Sequence, residues 1–297
     1  MRTKSISPLR YPGSKRHLMD YVAQSLKANH FYPKIYVEPF VGGGNVAFYL
    51  LQQQIVEKVI LIDLDPWIAS FWQAVFWDTE WLLRQIEQAK VTLESWQEMK
   101  KSDPVTPREQ AWACLFLNRT SFSGILRPEV GPLGGKSQTS PYKIDCRFPR
   151  QTLVERIRTI ASFRERVYAV WNLSWEEGLQ NLRAEQRAGS LPSDRIFFYL
   201  DPPFFEKADA LYRYYFQEKD HRALRDTLLK LNDKWLLSYD SAEQVETLYG
   251  EAIASSANGA KRSDVELLYS LSLRERKRGK EVILSNLEIL PEFNGRK

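Results

Sequence analysis

The sequence predicts an α/β protein built on a mostly parallel sheet, and three observations support that class. Short, almost wholly apolar runs alternate with stretches of helical periodicity, the pattern of strands covered on both faces by crossover helices. The runs are Ile35-Tyr36-Val37, Val59-Ile60-Leu61-Ile62, Val167-Tyr168-Ala169-Val170-Trp171, Ile196-Phe197-Phe198-Tyr199-Leu200 and Trp235-Leu236-Leu237-Ser238-Tyr239. Each ends in a polar residue: Glu38, Asp63, Asn172, Asp201 and Asp240. In an open α/β sheet ligands bind beyond the carboxyl ends of the strands, so these five residues predict a polar site along one edge of an apolar scaffold.

The chain's 297 residues suffice for one large or two modest domains. Hydrophobic content of 43% and charged content of 27% are those of a globular protein. No apolar run is long enough to span a bilayer and no signal-peptide pattern opens the sequence, so a cytoplasmic protein without membrane association is expected. Two cysteines, Cys114 and Cys146, and three histidines, His17, His30 and His221, lie too far apart in sequence for a metal-ligand spacing, and no metal is expected. The net charge of +5 and a pI near 9.0 favour a polyanionic partner. Five basic residues fall within Arg274–Lys280, among them Arg276, Lys277 and Arg278. Nine Trp among 13% aromatic residues suit a protein that stacks bases, although most such rings belong in a core.

Along the chain, Pro8 to Lys15 is rich in turn residues and precedes a helical pattern with Leu18, Tyr21, Val22 and Leu26. A lysine at a helix start opposes the helix dipole, so Lys15 is expected to meet a carboxylate, such as that of a ligand. The first strand then leads through Glu38-Pro39-Phe40 into Gly42-Gly43-Gly44 and a helix from Asn45. Gly42-x-Gly44-x-x-Ala47 fits the nucleotide-binding turn, in which bare backbone approaches the ligand. Asp63 follows about 20 residues later, where that fingerprint expects a carboxylate on ribose hydroxyls. No Gly-Lys-Ser/Thr follows, which excludes a Walker phosphate loop.

From residue 67 to 150 the pattern changes. A polar helical stretch starts at Asp78-Thr79, breaks at Asp103-Pro104-Val105-Thr106-Pro107, and resumes with Trp112, Leu115 and Phe116 facing inward. Asn118 to Phe148, rich in Gly, Ser, Pro, Arg and Lys, reads as an exposed loop or hairpin. There Phe122 offers a stacking ring, and Arg119 and Arg127 offer guanidinium forks for phosphates or base edges. The α/β pattern returns at about 151. Ala208 to Gln217 reads as a loop over a site, 220–231 as a helix, and the end as a hairpin of Val265–Leu271 and Val282–Leu284 joined by the basic loop.

The densest chemistry is Asp201-Pro202-Pro203-Phe204. Two prolines stiffen the chain and leave its carbonyls free of local donors. A carboxylate, the Pro202 carbonyl and the Phe204 ring within four residues suit a planar molecule bearing an exocyclic amine.

Tyr-Pro-Gly-Ser-Lys at 11–15, Val-Glu-Pro-Phe-Val-Gly-Gly-Gly at 37–44, Asp63, Asn-Arg-x-x-Phe-x-Gly at 118–124 and Asp-Pro-Pro-Phe at 201–204 appear in one order. That order resembles the Dam-type, D12-class DNA adenine-N6 methyltransferases, from Arg10 to about Asn286. The resemblance implies a Rossmann-like S-adenosylmethionine-dependent methyltransferase sheet with an inserted, mainly helical target-recognition domain. Residues 1–66 and 151–297 would form the catalytic domain and 67–150 the insertion, whose 118–148 segment would be the hairpin that enters DNA. Tyr11, Lys15, Glu38, Phe40, Gly42, Gly44, Asp63, Asn172 and Asp201 would line the cofactor site, with Lys15 near the methionine carboxylate. Asp201, Pro202, Pro203 and Phe204 would hold a flipped adenine. Arg119, Phe122, Ser123, Arg127, Arg276, Lys277 and Arg278 would meet double-stranded DNA.

The implied protein is a monomer acting on duplex DNA, with a cognate restriction endonuclease or a defence system as its partner. Phe204 replaces the family's usual Tyr, keeping the ring and losing the hydroxyl. Residues 123–148 do not follow the GATC-specific members, so that target is not carried over. The same amine-holding logic would serve an RNA adenine or cytosine-N4 methyltransferase. A catalytically silent DNA-binding module is disfavoured by intact Lys15, Asp63 and Asp201. A dehydrogenase would explain the glycines but neither Asp-Pro-Pro-Phe nor the basic insertion.

Overall fold

The computed structural model describes residues 6–11, 15, 17–206, 208–254, 256–270 and 276–292, without the side chains of 266–279. Seven strands form one sheet in the order β3-β2-β1-β4-β5-β7-β6. They are β1 (Ile35–Glu38), β2 (Lys58–Ile62), β3 (Val167–Trp171), β4 (Ile196–Leu200), β5 (Lys234–Asp240), β6 (Lys261–Ser270) and β7 (Arg276–Ser285). The first five run parallel, whereas β7 pairs antiparallel with both β5 and β6. The chain winds outward from β1 through β2 to β3, then returns to the other side of β1 with β4. That reversal opens a crevice between the carboxyl ends of β1 and β4.

Alternation along the strands fills two cores. Tyr36, Val59, Leu61, Phe197, Tyr199, Leu236 and Ile283 point to one face, against helices α1 (Met19–Ala28), α2 (Asn45–Gln52) and α3 (Pro66–Trp77). Ile35, Val37, Ile60, Ile62, Phe198, Leu200, Trp235, Leu237 and Leu284 point to the other. That second face is covered by α8 (Trp175–Arg187), α10 (Glu218–Leu228) and α11 (Glu243–Ala254). Strands buried on both sides explain why the apolar runs are continuous rather than alternating.

Residues 67–150 are mostly helical, in α3, α4 (Thr79–Gln88), α5 (Leu93–Lys101) and α6 (Pro107–Thr120). The expected single helix from Thr79 is two, because Thr92 caps a new start by accepting from Ser95 N. Thr106, Pro107 and Glu109 open α6 with a capping box and a proline in the first turn. The segment has no separate core: Phe71, Trp72, Leu82, Trp96, Leu115 and Phe116 belong to the cluster that covers the first face of the sheet. α7 (Arg150–Ala161) leads from it into β3, and a single turn, α9 (Ala208–Leu211), lies between β4 and α10.

Two expectations need correction. Residues 118–148 do not form a hairpin: Asn118 to Thr120 finish α6, Phe122–Gly124 make a 3-10 turn, and beyond one isolated bridge, Ser121 to Pro132, the rest is the loop that the sequence also allowed. The glycines and prolines that suggested a turn interrupt any ladder on both sides of it. The basic residues 276–280 are not in a connecting loop but in β7, paired register by register with β6. Among the described residues no helix is long and apolar enough to cross a membrane, and no group of three or more His, Cys, Asp or Glu could hold a metal.

Asn118, fully buried near the end of α6, fastens the N-terminal segment to this framework. Its Oδ1 accepts from Arg10 N at 2.7 Å, and its Nδ2 donates to Arg10 O at 3.2 Å and Gly124 O at 2.8 Å. Asn118→Ala strands these backbone groups and is expected to destabilise the protein by about 2–3 kcal/mol. The denaturant midpoint measures this, and an unchanged midpoint would mean that the Asn118 contacts add nothing to stability.

Candidate active site

The crevice beyond β1 and β4 holds a cavity of about 230 Å³. Its lining includes Tyr11, Lys15, Glu38, Phe40, Gly42, Gly44, Asp63, Asp201 and Pro203, which the sequence places far apart. It also includes Asp65, Trp175, Tyr199 and the run Tyr212 to Phe216, which sequence reasoning had not assigned individually.

The glycine turn is shaped by its neighbours. Asp63, at the end of β2, accepts from Gly42 N at 2.9 Å and, through its other oxygen, from Asp65 N at 3.0 Å. Trp72 Nε1 donates to Gly42 O at 2.9 Å. Gly44 has φ +61°, and a Cβ there would lie 2.4 Å from Phe48, so only glycine gives this turn its shape. Both oxygens of Asp63 thus already hold backbone, and its carboxyl is pushed up to about 7, by burial first and by Asp65 second.

Glu38 closes β1 as a buried carboxyl that accepts from Tyr36 Oη at 2.8 Å and Ala47 N at 3.2 Å. Burial pushes it up to about 8, although both hydrogen bonds oppose the rise. Asn172 does not line the cavity: its amide donates to the carbonyls of Asp63 and Leu64, each at 3.0 Å, and braces the turn after β2. A polar strand end is as useful for holding a neighbouring turn as for meeting a ligand, and the local sequence does not distinguish the two.

Asp201, directly after β4, is held from several sides. Lys15 Nζ lies 3.2 Å from its Oδ1, and Ser238 Oγ on β5 donates to the same oxygen at 3.2 Å. Ser238 in turn accepts from Tyr199 Oη at 3.0 Å. Both contacts fall on Oδ1, which leaves Oδ2 for an incoming N–H. Burial and the charge of Glu281 push the Asp201 carboxyl up to about 7, against the pull of Lys15 and Ser238. Lys15 also meets Glu281 of β7, at 3.1 and 3.3 Å. Burial draws the lysine down, but the two carboxylates outweigh it and hold the ammonium above its ordinary value. A carboxylate partner for Lys15 is therefore found within the protein, as Asp201 and Glu281.

The rest of the motif is held by packing. Pro202 is buried, Pro203 lines the cavity, and the Phe204 ring has the Lys15 ammonium 4.9 Å from its centre. Phe205 stacks on His221 at 3.7 Å, and His221 Nδ1 bonds Tyr239 Oη at 2.8 Å. Burial lowers the His221 pKa to about 4, so the ring is neutral near pH 7. The 208–217 segment lies over the crevice as expected. Tyr212 stacks on Tyr11, and Phe216 meets Phe40 edge-on. Arg213 pairs with Asp65 at 2.7 Å and lies 3.8 Å over the Trp67 ring.

Among the residues expected to face DNA, Phe122 is 64% exposed on the loop after α6, with Ser123 exposed beside it at φ +55°. Arg127 is half-buried and its Nε donates to Glu129 at 3.1 Å. Arg119 is not a surface fork: it is 6% exposed, and its Nε has no partner among the described residues. Burial, with Arg10, Arg156 and Arg147 nearby, lowers its pKa to about 9. Arg10 likewise has a buried, unpartnered Nη1. These arginines come from the N-terminal segment, α6, the following loop and α7, so their convergence had no local signal. The side chains of Arg276, Lys277 and Arg278 lie outside the described residues.

Residues 11–269 match the D12 class N6 adenine-specific DNA methyltransferase family, and the chain belongs to that family. It is 26% identical to the type II methyltransferase M.MjaIII of Methanocaldococcus jannaschii over 135 residues, 40% of this chain and 47% of that protein. The chain thus spans about half the length of that relative. It is also 24% identical to the type II methyltransferase M1.LlaDCHI of Lactococcus lactis subsp. cremoris over 281 residues, 86% of this chain and 89% of that protein.

Lys15→Met removes the cation between two carboxylates. The Asp201 carboxyl is then expected to titrate at least about one unit higher, measured by carbon NMR of aspartate-labelled protein. An unmoved titration would remove Lys15 as the charge that governs Asp201.

Proposed function

We propose that this member of the D12 class transfers a methyl group from S-adenosylmethionine to N6 of an adenine flipped out of duplex DNA. The observation that supports this most is the Asp201 carboxylate, anchored through Oδ1 with Oδ2 left to accept an N–H, beside a bare glycine turn in the same crevice.

The cavity suits the cofactor. Glu38 and Asp63 are buried carboxyls pushed up by burial, with no cation paired to them among the described residues, so a cationic ligand is favoured there. The backbone at Gly42 and Gly44 allows close approach. Tyr11, Glu38, Phe40, Gly42, Gly44 and Asp63 would hold S-adenosylmethionine, which supplies the methyl group on a sulfonium. Lys15 would serve Asp201 instead of the methionine carboxylate, and Asn172 would act through the turn that it braces.

Adenine N6 is a poor nucleophile because its lone pair is delocalised into the ring. Hydrogen bonds from N6 to Asp201 Oδ2 and to the Pro202 carbonyl would draw the nitrogen towards tetrahedral geometry and aim that lone pair. The gain is mostly positional and electrostatic. The N6 proton becomes acidic only as the new bond forms, and a carboxylate titrating near 7 is well matched to accept it. A base inside a duplex cannot reach such a crevice, which requires flipping. The Phe204 ring would stack on the extruded adenine and offset part of the unstacking.

Residues 67–150 would form the recognition part of the protein. Phe122, Ser123 and Arg127 would meet bases. Arg10, Arg119, Arg147 and Arg156, a positive cluster in which Arg10 Nη1 and Arg119 Nε are buried without a partner among the described residues, would receive backbone phosphate. Arg276, Lys277 and Arg278 would add charge along the DNA. Two relatives named as type II methyltransferases support a restriction-modification setting with a cognate endonuclease.

Incubation with labelled S-adenosylmethionine and duplex DNA of mixed sequence, followed by single-molecule mapping, should give N6-methyladenine in one short context. Asp201→Asn should lower transfer by at least about a thousandfold while cofactor affinity changes little. Cofactor binding without DNA methylation by the wild type would redirect the reading to an RNA substrate. Replacing both Arg147 and Arg156 by Gln should weaken DNA binding on all sequences and reduce the salt slope by about one to two. An unchanged slope would make the cluster an internal feature.

A further inference from the structure

Glu281 is a charged residue at the head of the apolar run Val282-Ile283-Leu284, and only 3% of it is exposed. Its strand, β7, brings it to the catalytic end of the sheet from the far end of the chain, opposite Asp240 of β5. Both of its oxygens face Lys15, at 3.3 and 3.1 Å, and Lys15 reaches Asp201 Oδ1 at 3.2 Å. The ammonium is therefore shared between two carboxylates, of which only Asp201 sits in the Asp-Pro-Pro-Phe run.

We propose that Glu281 is a positioning residue for methyl transfer, which holds Lys15 on one side of Asp201 and keeps Asp201 Oδ2 available to the substrate amine. This rests on the reaction proposed above. An ammonium paired only with Asp201 would move towards both of its oxygens and compete with N6 for the lone pairs. A second carboxylate beyond the ammonium prevents this by drawing it back. The same arrangement explains why an antiparallel strand, which lies outside the parallel nucleotide-binding half, ends its buried part on a charge.

The electrostatic consequence has a definite sign. Asp201 faces Lys15 from the N-terminal segment, Ser238 and Tyr239 from β5, Tyr199 from β4, Glu281 from β7, Tyr36 and Glu38 from β1 and Tyr212 from the loop over the crevice. Of these, Glu281 raises the Asp201 pKa and Lys15 lowers it. Removing the Glu281 charge therefore takes away one raising influence and strengthens the lowering one, and both changes make Asp201 a weaker base. The acid limb of the rate profile, where Asp201 becomes protonated, must move to lower pH.

The test is the pH dependence of kcat for wild type, Glu281→Gln and Glu281→Asp under saturating DNA and S-adenosylmethionine, with cofactor affinity and DNA KM measured in parallel. In Glu281→Gln, kcat at the plateau is expected to fall about tenfold and the acid limb to shift down by about half a unit or more. Cofactor affinity and DNA KM should stay within about threefold, because the residue touches neither ligand. Glu281→Asp keeps the charge, and is expected to leave the limb in place while recovering part of kcat. An unshifted limb in Glu281→Gln, or an unchanged kcat, would overturn the role, since loss of packing alone lowers rate without moving a titration. If Glu281→Gln does not fold, Glu281→Asp is measured both alone and in a Lys15→Met background: a loss of kcat that disappears when Lys15 is gone supports the proposal, because the role runs through Lys15, and an equal loss in both backgrounds, or none in either, refutes it. A wild-type protein that methylates no DNA adenine would instead remove the reaction itself, so the two failures are distinct.

Discussion

The buried ion cluster of Lys15, Asp201 and Glu281 is the constraint around which the active-site end of this protein is organised. A charge removed from water is tolerated only when opposite charge and hydrogen bonds replace its hydration, and removing one partner of such a cluster typically destabilises by about 3–5 kcal/mol. The lysine comes from the N-terminal segment, one acid from the end of β4 and the other from β7. No two of these segments are neighbours in sequence, so the cluster joins the beginning, middle and end of the chain at one point. The Ser238 and Tyr199 hydroxyls extend it into β5 and β4.

The crevice follows from the winding of the sheet. Where β1 and β4 lie side by side with their crossovers leaving in opposite directions, no helix covers the strand ends, and Glu38 and Asp201 face the same opening. The acids there differ in function despite a similar appearance in sequence. Asp63 ties the glycine turn, Glu38 ties the start of α2, and Asp201 alone is held on one oxygen by cation and hydroxyl. The aromatic segment from Tyr212 to Phe216 completes the enclosure through Tyr11, Phe40 and the Arg213 to Asp65 pair.

The side of the molecule beyond α6 obeys a different rule. There the chain makes tight turns, with Ser123 and Gly124 both at positive φ. A Cβ on Gly124 would lie 2.1 Å from Arg10 O, so the loop is pressed onto the N-terminal segment. That contact buries Arg119 while leaving Phe122 exposed, and four guanidinium groups gather with two buried N–H groups unpartnered. In the proposed function a nucleic-acid backbone would supply the counter-charge to this cluster.

Much of this was legible in the residues themselves. The α/β class, the five parallel strands and the polar strand ends were set by local apolar periodicity and by glycine and proline, whose effects act within a few residues. The same holds for the family, whose motifs are short and keep their order. Tertiary structure decided which polar residues meet. Nothing near Glu281 indicates that its partner is 266 residues away, and nothing near Asn172 indicates that its amide braces a turn after another strand. It also decided that 276–280 continue a strand, that 118–148 form no hairpin, and that Arg119 is inside. Backbone conformation is chosen largely by neighbours in sequence, whereas burial and charge pairing are chosen by whatever the fold brings alongside.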